Sequence, residues 1–195
     1  PDNAITLAKM ASGTDGNIIS YDASGNPVAI ATGSDGQVLT SAGAGAQPAF
    51  ETPASAANTP CFRAHNNANQ ILATGQDVTV RFNQEDFDPQ SKFNTSTYKF
   101  TPTVAGKYFL HASVKISSAN DQGLFQLYMR KNSSTIAAIW HRASGTNDFS
   151  MQISNVAVSD TDDEFYIQAY QATGGNVNAA GGDIATFFTG YKIIE

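Results

Sequence analysis

Residues able to do covalent or metal chemistry are few in this chain and do not converge. His65, His111 and His141 stand far apart, with no His-x-x-x-His spacing that would bring two imidazoles onto one metal. Cys61 is the single cysteine, so no intrachain disulfide forms, and without a His and Asn context it reads as a small buried residue rather than a nucleophile. The densest acidic run, Asp160-Thr161-Asp162-Asp163-Glu164, carries several carboxylates but neither the spacing nor the glycine of a calcium loop, and is expected to be a solvated turn. No Gly-x-Ser-x-Gly elbow and no phosphate loop occur. Glycan cleavage would need two carboxyl groups about 5–9.5 Å apart across a cleft, and only Asp121, Asp148 and Asp183 fall in or beside the loops singled out below. No catalytic residue, metal or cofactor is therefore expected, and the chemistry left is hydrogen bonding.

The candidates for that chemistry are Asn120, Asp121, Arg142, Asn147, Asn176 and Asn178. Asparagine both donates and accepts, which suits sugar hydroxyls; it is also a common turn former. What makes these six a group is the set of strands that must position them.

Charged residues are only 14% of the 195, and the net charge is -6. Nucleic-acid binding usually needs a basic stripe, so nucleic acid is not an expected partner. No apolar run reaches the ~20 residues that span a bilayer, so membrane insertion is not expected either. Aromatic residues divide the chain: only Tyr21 and Phe50 precede Cys61. A packed core needs such side chains, so it belongs to residues 61–195.

The first fifty residues repeat instead. Gly13-Thr14-Asp15-Gly16-Asn17-Ile18-Ile19-Ser20 recurs as Gly33-Ser34-Asp35-Gly36-Gln37-Val38-Leu39-Thr40, and each copy runs on to a proline, Pro27 or Pro48. Asp-Gly signals a tight turn with positive φ, and the apolar pairs suit brief strands. Such a unit cannot bury its apolar residues alone and must stack on a neighbour or wind with other chains. Residues 1–50 therefore read as a repetitive β stalk, 51–60 as a Pro- and Ala-rich hinge, and 61–195 as a head.

In the head, strand signals alternate with turns and no helical period appears, which gives an all-β antiparallel sandwich. Strands are expected near 61–66, over the alternation of Val78, Val80 and Phe82 with Thr79 and Arg81, at 98–100 and 107–116, and at roughly 123–131, 135–141, 148–158, 164–171 and 184–193. In 107–116, Tyr108, Leu110, Ala112, Val114 and Ile116 share one face, with Lys107, Phe109, His111, Ser113 and Lys115 on the other. Several strands are apolar on both faces: Phe125, Leu127 and Met129 oppose Leu124 and Tyr128, while Phe187 and Tyr191 oppose Ile184 and Phe188. A lone sandwich needs one apolar face per strand, so the second points to burial against other subunits, in a threefold ring that would match a three-chain stalk. Counting strands up and down, with 77–97 as an excursion, puts the loops 117–122, 142–147 and 172–183 at the end away from the stalk. The six candidates lie there, on loops held by a rigid scaffold.

The stretch Tyr98-Lys99-Phe100-Thr101-Pro102-Thr103-Val104-Ala105-Gly106-Lys107-Tyr108-Phe109 resembles the signature of complement-type globular heads, and Phe187-Phe188-Thr189-Gly190-Tyr191-Lys192-Ile193 resembles their closing strand. The resemblance covers about residues 61–195 and implies the trimeric jelly roll shared with tumour-necrosis-factor-like proteins. The repeat Gly33–Thr40, followed by Pro48-Ala49-Phe50, is similar to segments in fibres of marine phages. No collagen Gly-x-y stalk is present. Together these resemblances imply a homotrimeric viral fibre, located on the virion and anchored to other virion proteins by its N-terminus. Its head would bind a host surface glycan or protein, with three heads raising avidity by roughly 10²–10⁴. The alternative is a capsid decoration or collar fibre that contacts no receptor. Fold does not itself assign a partner.

Overall fold

The computed structural model describes residues 12–53, 57–117, 123–144 and 147–193, and all regular structure there is β. The chain divides into two compact units, Pro1–Ala56 and Ala57–Glu195.

The first unit holds two hairpins. β1 (Ile18–Tyr21) pairs with β2 (Pro27–Ile30), and β3 (Val38–Thr40) with β4 (Ala49–Glu51). The Asp-Gly pairs turn the chain just before β1 and β3, with φ +78° at Gly16 and +80° at Gly36, where a Cβ would be strained. The first hairpin is closed by Asp22. Its carboxylate accepts the Asn26 and Ser24 amides at 2.9 Å, and these bonds, the Asn26 amide foremost, hold the carboxyl below the usual range. Ile18, Ile19, Val38 and Leu39 stay exposed, so each hairpin leaves its apolar pair uncovered within the chain.

The second unit is a two-sheet sandwich. Its first sheet runs β8 (Gln84–Phe87), β5 (Cys61–His65), β17 (Phe187–Lys192), β11 (Gly106–Ser117) and β14 (Phe149–Ser159); β16 (Val177–Ala179) and β6 (Gln70–Leu72) extend it from the far end of β11. The second sheet runs β13 (Ser134–Arg142), β12 (Leu124–Lys131), β15 (Phe165–Ala172), β10 (Lys99–Phe100) and β9 (Phe93–Asn94), with β7 (Val78–Thr79) also on β15. All pairs are antiparallel. Alternation decides the faces: Tyr108, Leu110, Ala112, Val114 and Ile116 of β11 point inward at 2% exposure or less, facing Phe125, Leu127 and Met129 of β12 and Phe165 and Ile167 of β15. Phe62 joins the sheets. It stacks on Phe93 and Phe100, with centroids at 4.8 and 4.3 Å, and meets Phe188 edge-on at 4.9 Å.

Three sequence expectations change. Residues 77–97 are not a simple excursion: β7, β8 and β9 lie there, and the fully buried Val80 and Phe82 belong to the core. The last strand begins at Phe187, not 184. Ile184 sits in the preceding turn, 86% exposed, because Gly182 accepts the amides of Ala185 and Thr186 and bends the chain before the ladder starts. Cys61 is half-buried, since odd positions of β5 face outward.

The acidic run is a turn with one structural member. Asp163, 5% exposed, accepts Asn132 Nδ2 at 2.8 Å, the Asp160 amide at 2.6 Å and Lys131 Nζ at 2.8 Å. Burial pushes its carboxyl up, but these hydrogen bonds and the Lys131 charge outweigh that and leave it below the usual value. The group therefore stabilises the fold fully above the unfolded value of about 3.9, and that contribution is lost as pH falls through the lower folded value. Replacing Asp163 with Ala is expected to cost about 1–3 kcal/mol in urea unfolding near neutral pH. The difference between variant and parent should shrink when the same titration is run in acid.

Candidate functional site

The two ends of the head are built differently. At one end Pro60 accepts the Lys192 amide at 3.1 Å, Gly106 opposes Ser159, Asn132 donates its amide to Glu164, and the buried Tyr108 hydroxyl donates to Val104 O at 2.7 Å; burial pushes that phenol up to about 12. The loops 102–105, 132–134 and 159–162 therefore share the end where the chain enters the head. At the other end Leu124 lies between Arg142 and Ala172 on its two neighbours, Ala143 donates its amide to Gly123 O at 3.0 Å, and Ser117 opposes Asn178. This is the tip.

Of the candidates, Asn120 and Asp121 lie outside the described residues. Arg142, the last residue of β13, and Asn147 are exposed and line one shallow pocket with His141, Ser144, Asp148 and Phe149. Asn176 is exposed on the 173–176 turn. Asn178 is corrected: it is not a loop residue but the middle of β16, half-buried between Ile71 and Ser117, because Val177 and Ala179 on either side are drawn fully into the core.

The tip also contains segments that composition did not single out. Gln171, fully buried, donates Nε2 to Leu72 O at 2.9 Å and to Gly175 O at 2.8 Å, and its Oε1 accepts the Thr173 amide and hydroxyl at 2.9 and 2.8 Å. The Gly75 amide reaches Gln171 O at 2.7 Å, and the Gly174 amide reaches Thr74 Oγ1 at 3.2 Å. One side chain thus ties the 73–77 and 172–176 loops together. A buried Gln was its only sequence signal, and the partners are backbone atoms that no motif names. Among the described residues no cluster of three His, Cys, Asp or Glu stands ready to hold a metal.

The outward side of the first sheet differs again. Tyr191, Phe109 and Val156 form one row across three strands, with the two rings 5.4 Å apart. Val158 follows at 63% exposure and Val156 is 52% exposed. Above them His111 packs on Phe187, and burial lowers the His111 pKa below the ordinary value. Arg63 lies over the Phe187 ring at 4.7 Å and is held by Asp86, which also reaches His65 Nδ1 at 2.9 Å.

This strand order, with β5, β17, β11 and β14 facing β10, β15, β12 and β13, accompanies a match of residues 61–193 to the C1q domain. The chain belongs to the C1q domain family. Among curated proteins none matches it. Solved structures similar to the C1q head include the Eiger TNF of S. frugiperda, at 11% identity and TM-score 0.54 over 68% of this chain and 91% of that one. They also include the globular domain of a zebrafish complement 1qA protein, at 18% and 0.52 over 69% and 98%, and murine APRIL, at 12% and 0.51 over 68% and 99%. At these identities the likeness is one of fold.

The Gln171 linkage gives a direct test. Gln171→Leu keeps the volume but removes the side-chain donor to the Leu72 carbonyl and the acceptor for the Thr173 amide, so stability should fall by about 1–3 kcal/mol. Hydrogen exchange should quicken first at residues 73–77 and 172–176.

Proposed function

We propose that this protein is a homotrimeric viral fibre, held on the virion by its N-terminal repeats, whose C1q head binds a host surface glycan or protein. The observation that carries the reading is the apolar row Tyr191, Phe109 and Val156, with Val158 beside it, on a face of the head that no described residue of the head covers. Contiguous exposed apolar surface marks an association site, and closed rotational symmetry is the economical way for identical chains to cover one another's faces. The hairpins of the first unit support the same stoichiometry, since each keeps Ile18 and Ile19 or Val38 and Leu39 exposed at equivalent places in its repeat. The resemblance to phage fibre segments supports the viral setting. The chain enters the head at the Pro60 end, so the reading assigns surface contact to the opposite end.

Light scattering on the full chain should give three times 20.6 kDa. Val158→Asp places an unpaired charge in the proposed contact without touching the core, so it should yield monomers with an unchanged circular dichroism spectrum. Labelled trimer should bind host cells, and monomer should bind them about 10²-fold or more less tightly as avidity is lost. A monomeric parent chain would overturn the fibre reading.

A further inference from the structure

The outward side of the second sheet has a different character from every other surface of the head. On β12, Phe125, Leu127 and Met129 point inward, so Gln126, Tyr128 and Arg130 must point out. Register sets their neighbours. Trp140, Gln126 and Tyr170 form one row across β13, β12 and β15; Ala138, Tyr128, Gln168 and Thr79 form the next. Trp140 is 60% exposed, and its position on β13 lies two strand spacings, roughly 10 Å along the row, from that of Tyr170 on β15. Ala138 adds little bulk between Trp140 and the following row, and Tyr170 is half-buried at the other end of its row.

The polar groups here are arranged in one sense. Arg130 donates Nε to Gln168 Oε1 at 2.8 Å and also reaches the Thr135 hydroxyl, and the Tyr128 hydroxyl donates to Gln126 Oε1. Both amide oxygens are therefore used as acceptors, which leaves the two Nε2 groups as the donors of this face. Among the described residues neither Nε2, nor Trp140 Nε1, has a partner. The charges are closed in pairs: Arg130 with Asp77 at 3.5 Å, and Lys99, lying over Tyr166 at 5.2 Å, with Glu164 at 2.6 Å. Arg142 stands beyond these rows, on the rim toward the tip.

We propose that this face is a binding platform for a neutral glycan chain, with Trp140 and Tyr170 stacking on sugar rings and Gln126 and Gln168 donating to hydroxyl or ring oxygens. Flat aromatic faces match the C–H faces of pyranose rings, and the spacing of the two positions along the row is comparable to the length of two linked sugars. The paired charges decide for an uncharged partner: an anionic chain would find no free cation within the two rows, and a cationic peptide no free carboxylate. The platform lies on the opposite sheet from the apolar row, so association of the heads through that row leaves it open. The inference rests on the proposed role in surface binding and names the ligand class and the site.

Trp140 is the only tryptophan in the chain, so its fluorescence reports this face alone. The full chain is titrated with a soluble neutral β-glucan, a soluble neutral α-glucan and an anionic polyuronate, in low and high salt. The expected result is a change in Trp140 emission and protection from quenching with a neutral glucan, insensitive to salt. Trp140→Ala and Tyr170→Ala should each weaken binding about tenfold or more, measured by calorimetry, while Asn147→Ala and Asn176→Ala at the tip change it less than twofold. Neutral binding that leaves Trp140 emission unmoved and is lost with the tip variants would overturn the platform while leaving receptor binding in place. Binding of the polyuronate alone, abolished by Arg142→Ala or salt, would overturn the neutral ligand. Cell binding without any glucan binding would overturn this inference alone, and absence of both would overturn the fibre's receptor role as well.

Discussion

The stacked rings around Phe62 are the constraint on which the head depends. Phe62 comes from the first sheet, Phe93 and Phe100 from the second, and Phe188 closes the cluster edge-on. Holding two sheets together through large aromatic side chains fixes which parity of each strand points inward. Gly190 is part of that fit: a Cβ there would meet Leu110 Cδ2 at 2.6 Å and Phe62 Cε1 at 3.0 Å. Once the inward parity is set, every outward side chain is set as well, and the two outer faces become surfaces of defined composition.

Those faces differ in a way that matches two tasks. The first sheet carries the apolar row Tyr191, Phe109 and Val156 with Val158 beside it, a surface that gains most by being removed from water. The second shows rings interleaved with amides and charges that neutralise one another, a surface that can stay wet and still bind. Their separation onto opposite sheets is what allows both proposed tasks in a domain of this size. The tip loops stand between them, held by Gln171 rather than by a disulfide, consistent with the lone Cys61.

Much of this was legible beforehand. The 107–116 alternation appeared as β11 with its buried face as read, and the strands at 124–131, 134–142, 149–159 and 165–172 fell within a residue or so of expectation. Long amphipathic strands carry a repeated signal, so one ambiguous residue does not hide them. Short strands carry too little. β16 was hidden in a Gly- and Asn-rich stretch because three residues, Val177-Asn178-Ala179, cannot display a period, and only the edges of β6 and β11 make them a strand. Val80 and Phe82, by contrast, were legible as one face of the alternation with Thr79 and Arg81, and both are buried.

Composition and alternation alone determined an all-β head, a repetitive first unit, the inward set of each long strand and the absence of a recognisable catalytic motif. These follow from local rules, the period of two and the φ demands of Asp-Gly turns, which act within a few residues. Lateral order and register were decided only in three dimensions. That Trp140 lies in line with Gln126 and Tyr170, that Asp77 neutralises Arg130, and that Tyr191, Phe109 and Val156 form one row all depend on which strands become neighbours. Strand pairing joins residues far apart along the chain, and its choice is made by packing of the whole core rather than by any stretch of sequence.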